Sequence, residues 1–285
     1  MTGSRSPRTL SERHAIVTGA GGGLGRALCL ELSRRGAIVS ALDIDEGALR
    51  DLVASDPSGR SVGERLDITD AEACAAVFAR LRGARGPVDL LVNNAGITHF
   101  STIRDTSIDT IDQVMSVNFR GAVNCTKTAL PDLFDTCGQV VVMSSVAGFA
   151  PLFARSAYSA SKHALHGFFE TLRCEVDDRG VNVLMVCPSF IDTQRDHPEA
   201  TSPYAGAARP GSARATIGRV MSPESAASEI VDAIERRRRR LLLGRVAKQS
   251  HWLRRYLPGL YDSMMTRRAR AEVSGREVRG SEASD

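Results

Sequence analysis

Five glycines stand among the eight residues TGAGGGLG at 18–25, between a short apolar run at 15–17 and a segment with helical spacing. Leu24, Leu28 and Leu32 mark that helix, predicted over 24–35, and Gly36 follows as a helix-ending glycine. A strand, a glycine-rich turn and a helix in this order can cradle a phosphate. The glycines permit a tight turn and a close approach, and the unpaired N–H groups of the helix start favour negative charge. An ordinary turn also uses glycine, so the stretch alone does not decide.

The rest of the chain repeats the alternation. Short apolar runs at 37–42, 62–66, 90–92, 139–143, 181–186 and 241–243 read as strands. Helices are predicted near 46–55, 70–82, 107–130, 157–178 and 223–235. Such alternation predicts βαβ units in an α/β fold: one doubly wound, Rossmann-type parallel sheet with helices on both faces. Its ligand crevice lies at the carboxyl ends of the strands. The expected organisation is a flexible polar lead over 1–12 and a catalytic domain over 13–244. A substrate lid is expected at 192–221, rich in Pro, Ser, Ala, Gly and Arg, and a basic amphipathic extension at 245–285.

Composition excludes several classes. At 42% hydrophobic and 25% charged the chain is that of an ordinary globular protein, and no stretch has the roughly 18 consecutive apolar residues of a membrane span. The first fourteen residues lack the apolar stretch of a secretory signal. Cys29, Cys74, Cys125, Cys137, Cys174 and Cys187 are scattered, which predicts free thiols, a cytoplasmic location and no metal site. The histidines are equally unclustered. Residues 245–285 hold nine Arg/Lys against five Asp/Glu, the whole of the net charge of +4. The body is therefore not a nucleic-acid binder by charge.

Asp43 ends the second predicted strand, 18 residues after Gly25, near the roughly 20-residue offset at which a carboxylate meets the adenosine ribose. A carboxylate there repels a 2′-phosphate, so NAD is expected over NADP. Arg26 is the residue that could reach round to bind that phosphate, and a helix N-cap is the other reading of Asp43.

Tyr158 and Lys162 lie four residues apart on one predicted helix, with Ser145 thirteen residues and Asn118 forty residues before the tyrosine. A tyrosine with a pKa of about 10 is a poor base at neutral pH, and an ammonium one helical turn away can lower it. Ser145 would donate to a substrate oxygen, and Asn118 would anchor a water leading from Lys162 to solvent. The spacing of His163 and His166 from Lys162 predicts other helix faces and no catalytic role, and Ser144 reads as a buried neighbour.

With these residues together, the chain resembles the short-chain dehydrogenase/reductase family over about residues 12–193. The resemblance implies that Gly19, Gly23 and Gly25, with Leu24 between them, bind the dinucleotide. It implies that Asp67 and Ile68 hold adenine, and that Asn94, Ala95 and Gly96 of the NNAG motif stabilise the central sheet near the cofactor ribose. Pro188, Ile191 and Thr193 resemble the segment that cups the nicotinamide carboxamide, with Ser189 in place of the usual glycine. Lys162 and Tyr158 would also contact the cofactor. The expected reaction interconverts a secondary alcohol and a ketone. Phe149, Leu152 and Phe153 hint at a lipophilic substrate, and a homodimer or homotetramer on the helices at 107–130 and 157–178 is implied. An NADP-dependent carbonyl or 3-oxoacyl reductase and a non-catalytic NAD-binding interaction protein are the alternatives.

Arginines 236–240 join a helix end to a strand start, where a role at the helix dipole competes with anion binding. In the tail, Trp252, Leu253, Tyr256, Leu257, Leu260, Tyr261 and Met264 fall at helical spacings around Pro258-Gly259, with arginines between. Packing over the substrate opening or a second subunit, docking on a membrane surface, and an unstructured end are the competing expectations.

Overall fold

The computed structural model describes residues 8–192 and 220–267. Among them, seven parallel strands form one sheet: β1 (His14–Thr18), β2 (Ile38–Asp43), β3 (Val62–Arg65), β4 (Leu90–Asn93), β5 (Gln139–Met143), β6 (Asn182–Pro188) and β7 (Arg240–Leu243). Their order is β3-β2-β1-β4-β5-β6-β7. The chain steps outward from β1 to β3, then returns to the other side of β1 with β4. That reversal opens a crevice at the carboxyl ends of β1 and β4, where loops leave in opposite directions.

The strands split their side chains between two cores. Val17, Val92, Val141 and Val186 face α1 (Gly23–Arg34) and α7 (Pro223–Glu235), meeting Leu28, Leu32, Ile230 and Ile234. Ile16, Leu91, Val140 and Val142 face α3 (Ala71–Arg85), α5 (Ala122–Asp135) and α6 (Ser156–Glu175), meeting Phe78, Leu133 and Phe169. A strand buried on both faces has no polar alternation, which is why these runs read as continuously apolar. The remaining helices are α2 (Glu46–Ala54), α4 (Ile108–Met115) and α8 (Arg245–Tyr256). Side-chain caps start several of them: Asp45 accepts from Ala48 N–H, Asp70 from Glu72 and Ala73, and Ser222 from Ser225.

Three features depart from the sequence reading. The helix expected over 107–130 runs on to Asp135 with Pro131 inside it, and a π-helical turn at Ser116–Gly121 joins α4 to α5. Residues 8–12, expected within a flexible lead, are docked: Arg8 N–H donates to the Glu235 carbonyl at 2.8 Å and Leu10 is buried. Three of the arginines at 236–240 act on partners other than their own helix end. Arg237 donates to the Gly180 carbonyl at 2.8 Å, Arg239 faces Asp177 at 3.4 Å and Arg240 pairs with Glu170 at 2.5 Å. The tail, for which packing was one of the competing expectations, packs on the body along one face. Ala247 of α8 and Tyr261, in a helical stretch over 258–267, are buried with Val146 and Ala150. Leu257 separates the two helices, as the constraint on a residue before proline favours.

Candidate active site

The loop after β1 is shaped by close backbone approaches. Gly19 sits at φ +63°, and a Cβ on it would lie 2.6 Å from Ala95 Cα. A Cβ on Gly25 would fall 1.9 Å from the Gly19 carbonyl oxygen. No side chain caps the start of α1, whose N-cap is Gly22. Its first amides and dipole therefore face the crevice with no side chain of the described residues capping them, the donor set a pyrophosphate needs. Gly23 and Leu24 open this helix.

Asp43 closes the side of the cradle. Its Oδ2 accepts from the Gly21 N–H at 2.8 Å and its Oδ1 from the Asp45 N–H at 3.1 Å. Asp45, not Asp43, caps α2. Arg26 turns away, donating to Ser55 Oγ at 2.8 Å beyond the far end of α2. Farther along the crevice, Asp67 Oδ1 accepts from the N–H and hydroxyl of Thr69. Ile68 is buried against Gly121, and its carbonyl accepts from Asn124 Nδ2 at 3.0 Å.

The NNAG segment ties the cradle to the rest of the crevice. Asn94 Nδ2 donates to the Thr18 and Gly19 carbonyls at 3.0 and 2.9 Å, and the Asn94 and Ala95 amides donate to Thr18 Oγ1. A Cβ on Gly96 would lie 3.1 Å from Asn118 Oδ1 and 3.6 Å from Lys162 Nζ. Ala95 thus lies against the glycine loop while Gly96 lies against the lysine.

Three consecutive residues at the end of β5 reach α6. Lys162 Nζ donates to the Met143 carbonyl at 2.8 Å, Ser144 Oγ bonds His166 Nε2 at 2.9 Å, and the Ser145 side chain bonds Tyr158. Burial pushes the Tyr158 phenol above its ordinary value, while the Ser145 hydrogen bond and the charge of Arg155 pull it back down. Burial brings Lys162 down to about 8. The ammonium expected to act on the phenol lies 5.5 Å from its ring centre, turned to the Met143 carbonyl, and the cation pulling on Tyr158 is Arg155 instead.

Arg155 was not among the residues singled out by motif. Its guanidinium lies 5.5 Å from the Phe100 ring centre and 6.0 Å from that of Tyr158, and it bonds Thr98 Oγ1 at 2.5 Å. Ala154, at φ +55°, sets its direction, a conformation that L residues other than Asn and Asp seldom adopt. A cation three residues before the tyrosine was visible in the sequence, but the backbone turn that aims it was not.

Asn118 is held by three hydrogen bonds of its side chain. Its Oδ1 accepts from the Ile97 N–H at 2.7 Å, and its Nδ2 donates to the Ile97 carbonyl and Ser161 Oγ, both at 2.9 Å. The side chain braces the NNAG loop against α6. It sits in the π turn, a distortion that often marks functional positions. His166 does not lie on another face: four residues past Lys162, it continues the line of Tyr158 and Lys162. His163 lies off that line and is exposed, its Nδ1 2.8 Å from the Ser159 carbonyl one turn back on the same helix.

Ile191 bridges Met221 just beyond β6, whose last residue is Pro188. Ser189 fits in place of a glycine because it faces Gly244, where a Cβ would come within 2.5 Å of its Oγ. Thr193 and most of the expected lid lie outside the described residues. Phe149 is committed to packing, edge-on to His251 at 5.0 Å and to His166 at 6.4 Å.

Comparisons with known proteins agree with this arrangement. The family described as short chain dehydrogenase matches residues 13–203. The mouse protein "Dehydrogenase/reductase SDR family member 7B" is 33% identical over 277 residues, covering 94% of this chain and 84% of its own. "Probable oxidoreductase EphD" of Mycobacterium tuberculosis is 40% identical over 181 residues, which are 62% of this chain but 31% of that protein. A solved short-chain dehydrogenase from Streptomyces avermitilis superposes with a TM-score of 0.74 at 32% identity, covering 96% of this chain and 98% of its own. The chain therefore belongs to the short-chain dehydrogenase/reductase family of oxidoreductases.

Proposed function

We propose that this oxidoreductase interconverts a secondary alcohol and a ketone with NAD, using Tyr158 as the proton-transferring group. One observation carries the reading: Ala95 and Gly96 are neighbours, one against the glycine cradle and the other against Lys162. Cradle and phenol therefore open on one crevice. The glycine loop, the uncapped start of α1 and the Asp43 carboxylate fit a dinucleotide, which supplies or takes up the hydride when bound. Ser145 donates a hydrogen bond to the substrate oxygen, where charge develops during transfer. Tyr158 removes the hydroxyl proton during oxidation and returns it during reduction. Lys162 orients the cofactor ribose, and Asn118 holds the loop beneath it.

NAD is favoured by Asp43 and by Arg26, whose guanidinium is held at Ser55. In a fluorescence titration NADH binds at least about 10-fold tighter than NADPH, a difference of about 1.4 kcal/mol. Asp43→Ala narrows the gap, because the repulsion of a 2′-phosphate goes with the carboxylate. Tighter NADPH binding by the unaltered protein would support an NADP-dependent carbonyl reductase instead. The assembly proposed is a homodimer or homotetramer on α4–α5 and α6.

The tail supports a lipophilic substrate met at a membrane surface. Trp252, Tyr256 and Leu260 are 58%, 62% and 58% exposed, and Leu257 and Met264 stand beside them. Residues 245–267 carry five Arg/Lys and one Asp, and that Asp262 pairs with Arg254. Two copies meeting through this patch would set like charges against each other, whereas an anionic bilayer complements both the charge and the aromatic rings. Trp252 is the single tryptophan of the chain, so its emission reports on this surface alone. Vesicles of phosphatidylglycerol shift that emission to the blue and high salt reverses the shift, while phosphatidylcholine leaves it unchanged. No shift with either lipid sinks the proposal.

A further inference from the structure

We propose that His166 is a positioning residue of this active site, and that its bond to Ser144 holds the end of β5 in register with α6. The inference rests on the reading above for its kinetic consequences, but the contact itself is independent of it. Residues 143, 144 and 145 face Lys162, His166 and Tyr158, three rungs onto residues that stand four apart on one face of α6, although the rungs do not follow the order of the helix. In the proposed reaction the first rung is shared with the cofactor and the third with the substrate. Their partners change during turnover. The Ser144–His166 rung touches neither, so it is the one able to keep strand and helix aligned throughout the cycle.

The surroundings of this rung are built for it. A Cβ on Gly148 would lie 2.5 Å from Ser144 Oγ and 2.7 Å from the His166 ring, so the turn Val146–Gly148 closes over the pair without a side chain. Cys187 Sγ approaches His166 Nε2 at 3.7 Å from β6. On the other side His166 Nδ1 faces Glu170 Oε1 at 3.6 Å, and Glu170 is itself held by Arg240 of β7. Phe149 covers the ring edge. A proton on Nδ1, towards the carboxylate, leaves Nε2 to accept from the Ser144 hydroxyl. Burial lowers His166 to about 4, which keeps the ring neutral at neutral pH.

A serine, a histidine and a glutamate in this order resemble a hydrolytic triad, but the geometry refuses that chemistry. Ser144 is buried beneath Gly148, so no acyl carbon can reach its Oγ, and 3.6 Å is too long for a hydrogen bond between histidine and carboxylate. What remains is a brace one residue from Ser145.

The test uses Ser144→Ala, His166→Ala, His166→Gln and the double alanine variant of the full chain. Each alanine variant lowers kcat by about 10-fold or more, KM and NADH affinity change by less than about 3-fold, and the double variant is no worse than either single one. His166→Gln, whose amide can reach the Ser144 hydroxyl, recovers most of the rate. Amide hydrogen exchange gives a readout that needs no turnover: exchange over 144–148 rises at least about 10-fold in both alanine variants and stays near the original in His166→Gln. Unchanged kcat and unchanged exchange in a folded His166→Ala would overturn the proposal, as would additive losses in the double variant. A chain that turns over no substrate, yet shows the exchange pattern, would count against the proposed function and leave the brace standing.

Discussion

Tyr158→Phe removes one oxygen and is expected to lower kcat by about 10³-fold, within the range general acid–base catalysis contributes. The phenyl ring still lies beneath the Arg155 guanidinium, so folding and NADH affinity stay near those of the unaltered protein. The pH profile carries a further sign. Burial raises the phenol and the Ser145 bond and Arg155 oppose it, so oxidation, which needs the deprotonated form, climbs with pH well into the alkaline range. Reduction needs the protonated phenol and is flat from neutral pH upward until that same group ionises. Replacing Arg155 by Met removes the nearby cation and moves both limbs to higher pH. A profile unchanged in that variant would show that Arg155 exerts no influence on the phenol. A Tyr158→Phe enzyme that kept its rate would remove the phenol from the mechanism.

Gly25→Ala is the substitution with the second largest expected effect. Its methyl group would stand 1.9 Å from the Gly19 carbonyl, so either the loop or the start of α1 must move. Both bear on the pyrophosphate site, and NADH affinity falls by about 100-fold or more, equivalent to about 2.7 kcal/mol. Overpacking also costs about 1–3 kcal/mol of stability. Gly83 provides the contrast. It sits exposed within α3 with no atom near its missing Cβ, so Gly83→Ala is expected to stabilise by about 0.5–1 kcal/mol and leave NADH binding unchanged. Thermal melts and NADH titrations of the two variants separate a lost cradle from a general intolerance of glycine replacement. Equal NADH affinity in Gly25→Ala would show that the loop does not hold the cofactor.

Much of this architecture was written in local patterns. Strands buried on both faces read as short apolar runs, and helices between them repeat every third or fourth residue, so order and parallel topology followed from periodicity. The Asp43 offset and the glycine loop were legible for the same reason, since both belong to one βαβ unit. Features set by long-range packing were not. The π turn holding Asn118 depends on Ile97 and Ser161 meeting one side chain, and no local spacing encodes that meeting. The turn at Ala154 carries no glycine or asparagine to announce its positive φ. His166 differs from both. Its four-residue spacing from Lys162 was countable, and its partner Ser144 stood beside Ser145, but a strand end and a helix face must be brought together before the pairing has meaning. The departure at Ser189 needed its opposite, Gly244, which lies beyond a crossover of the chain.

Deuterium transfer is the most direct test of the central claim. The protein is incubated with NADH carrying deuterium at the transferable C4 position and a panel of lipophilic ketones, and the products are read by mass spectrometry. A secondary alcohol with deuterium on its carbinol carbon, absent with Tyr158→Phe, is the predicted result. NADH binding without any deuterated alcohol across the panel, or equal product from Tyr158→Phe, would contradict it.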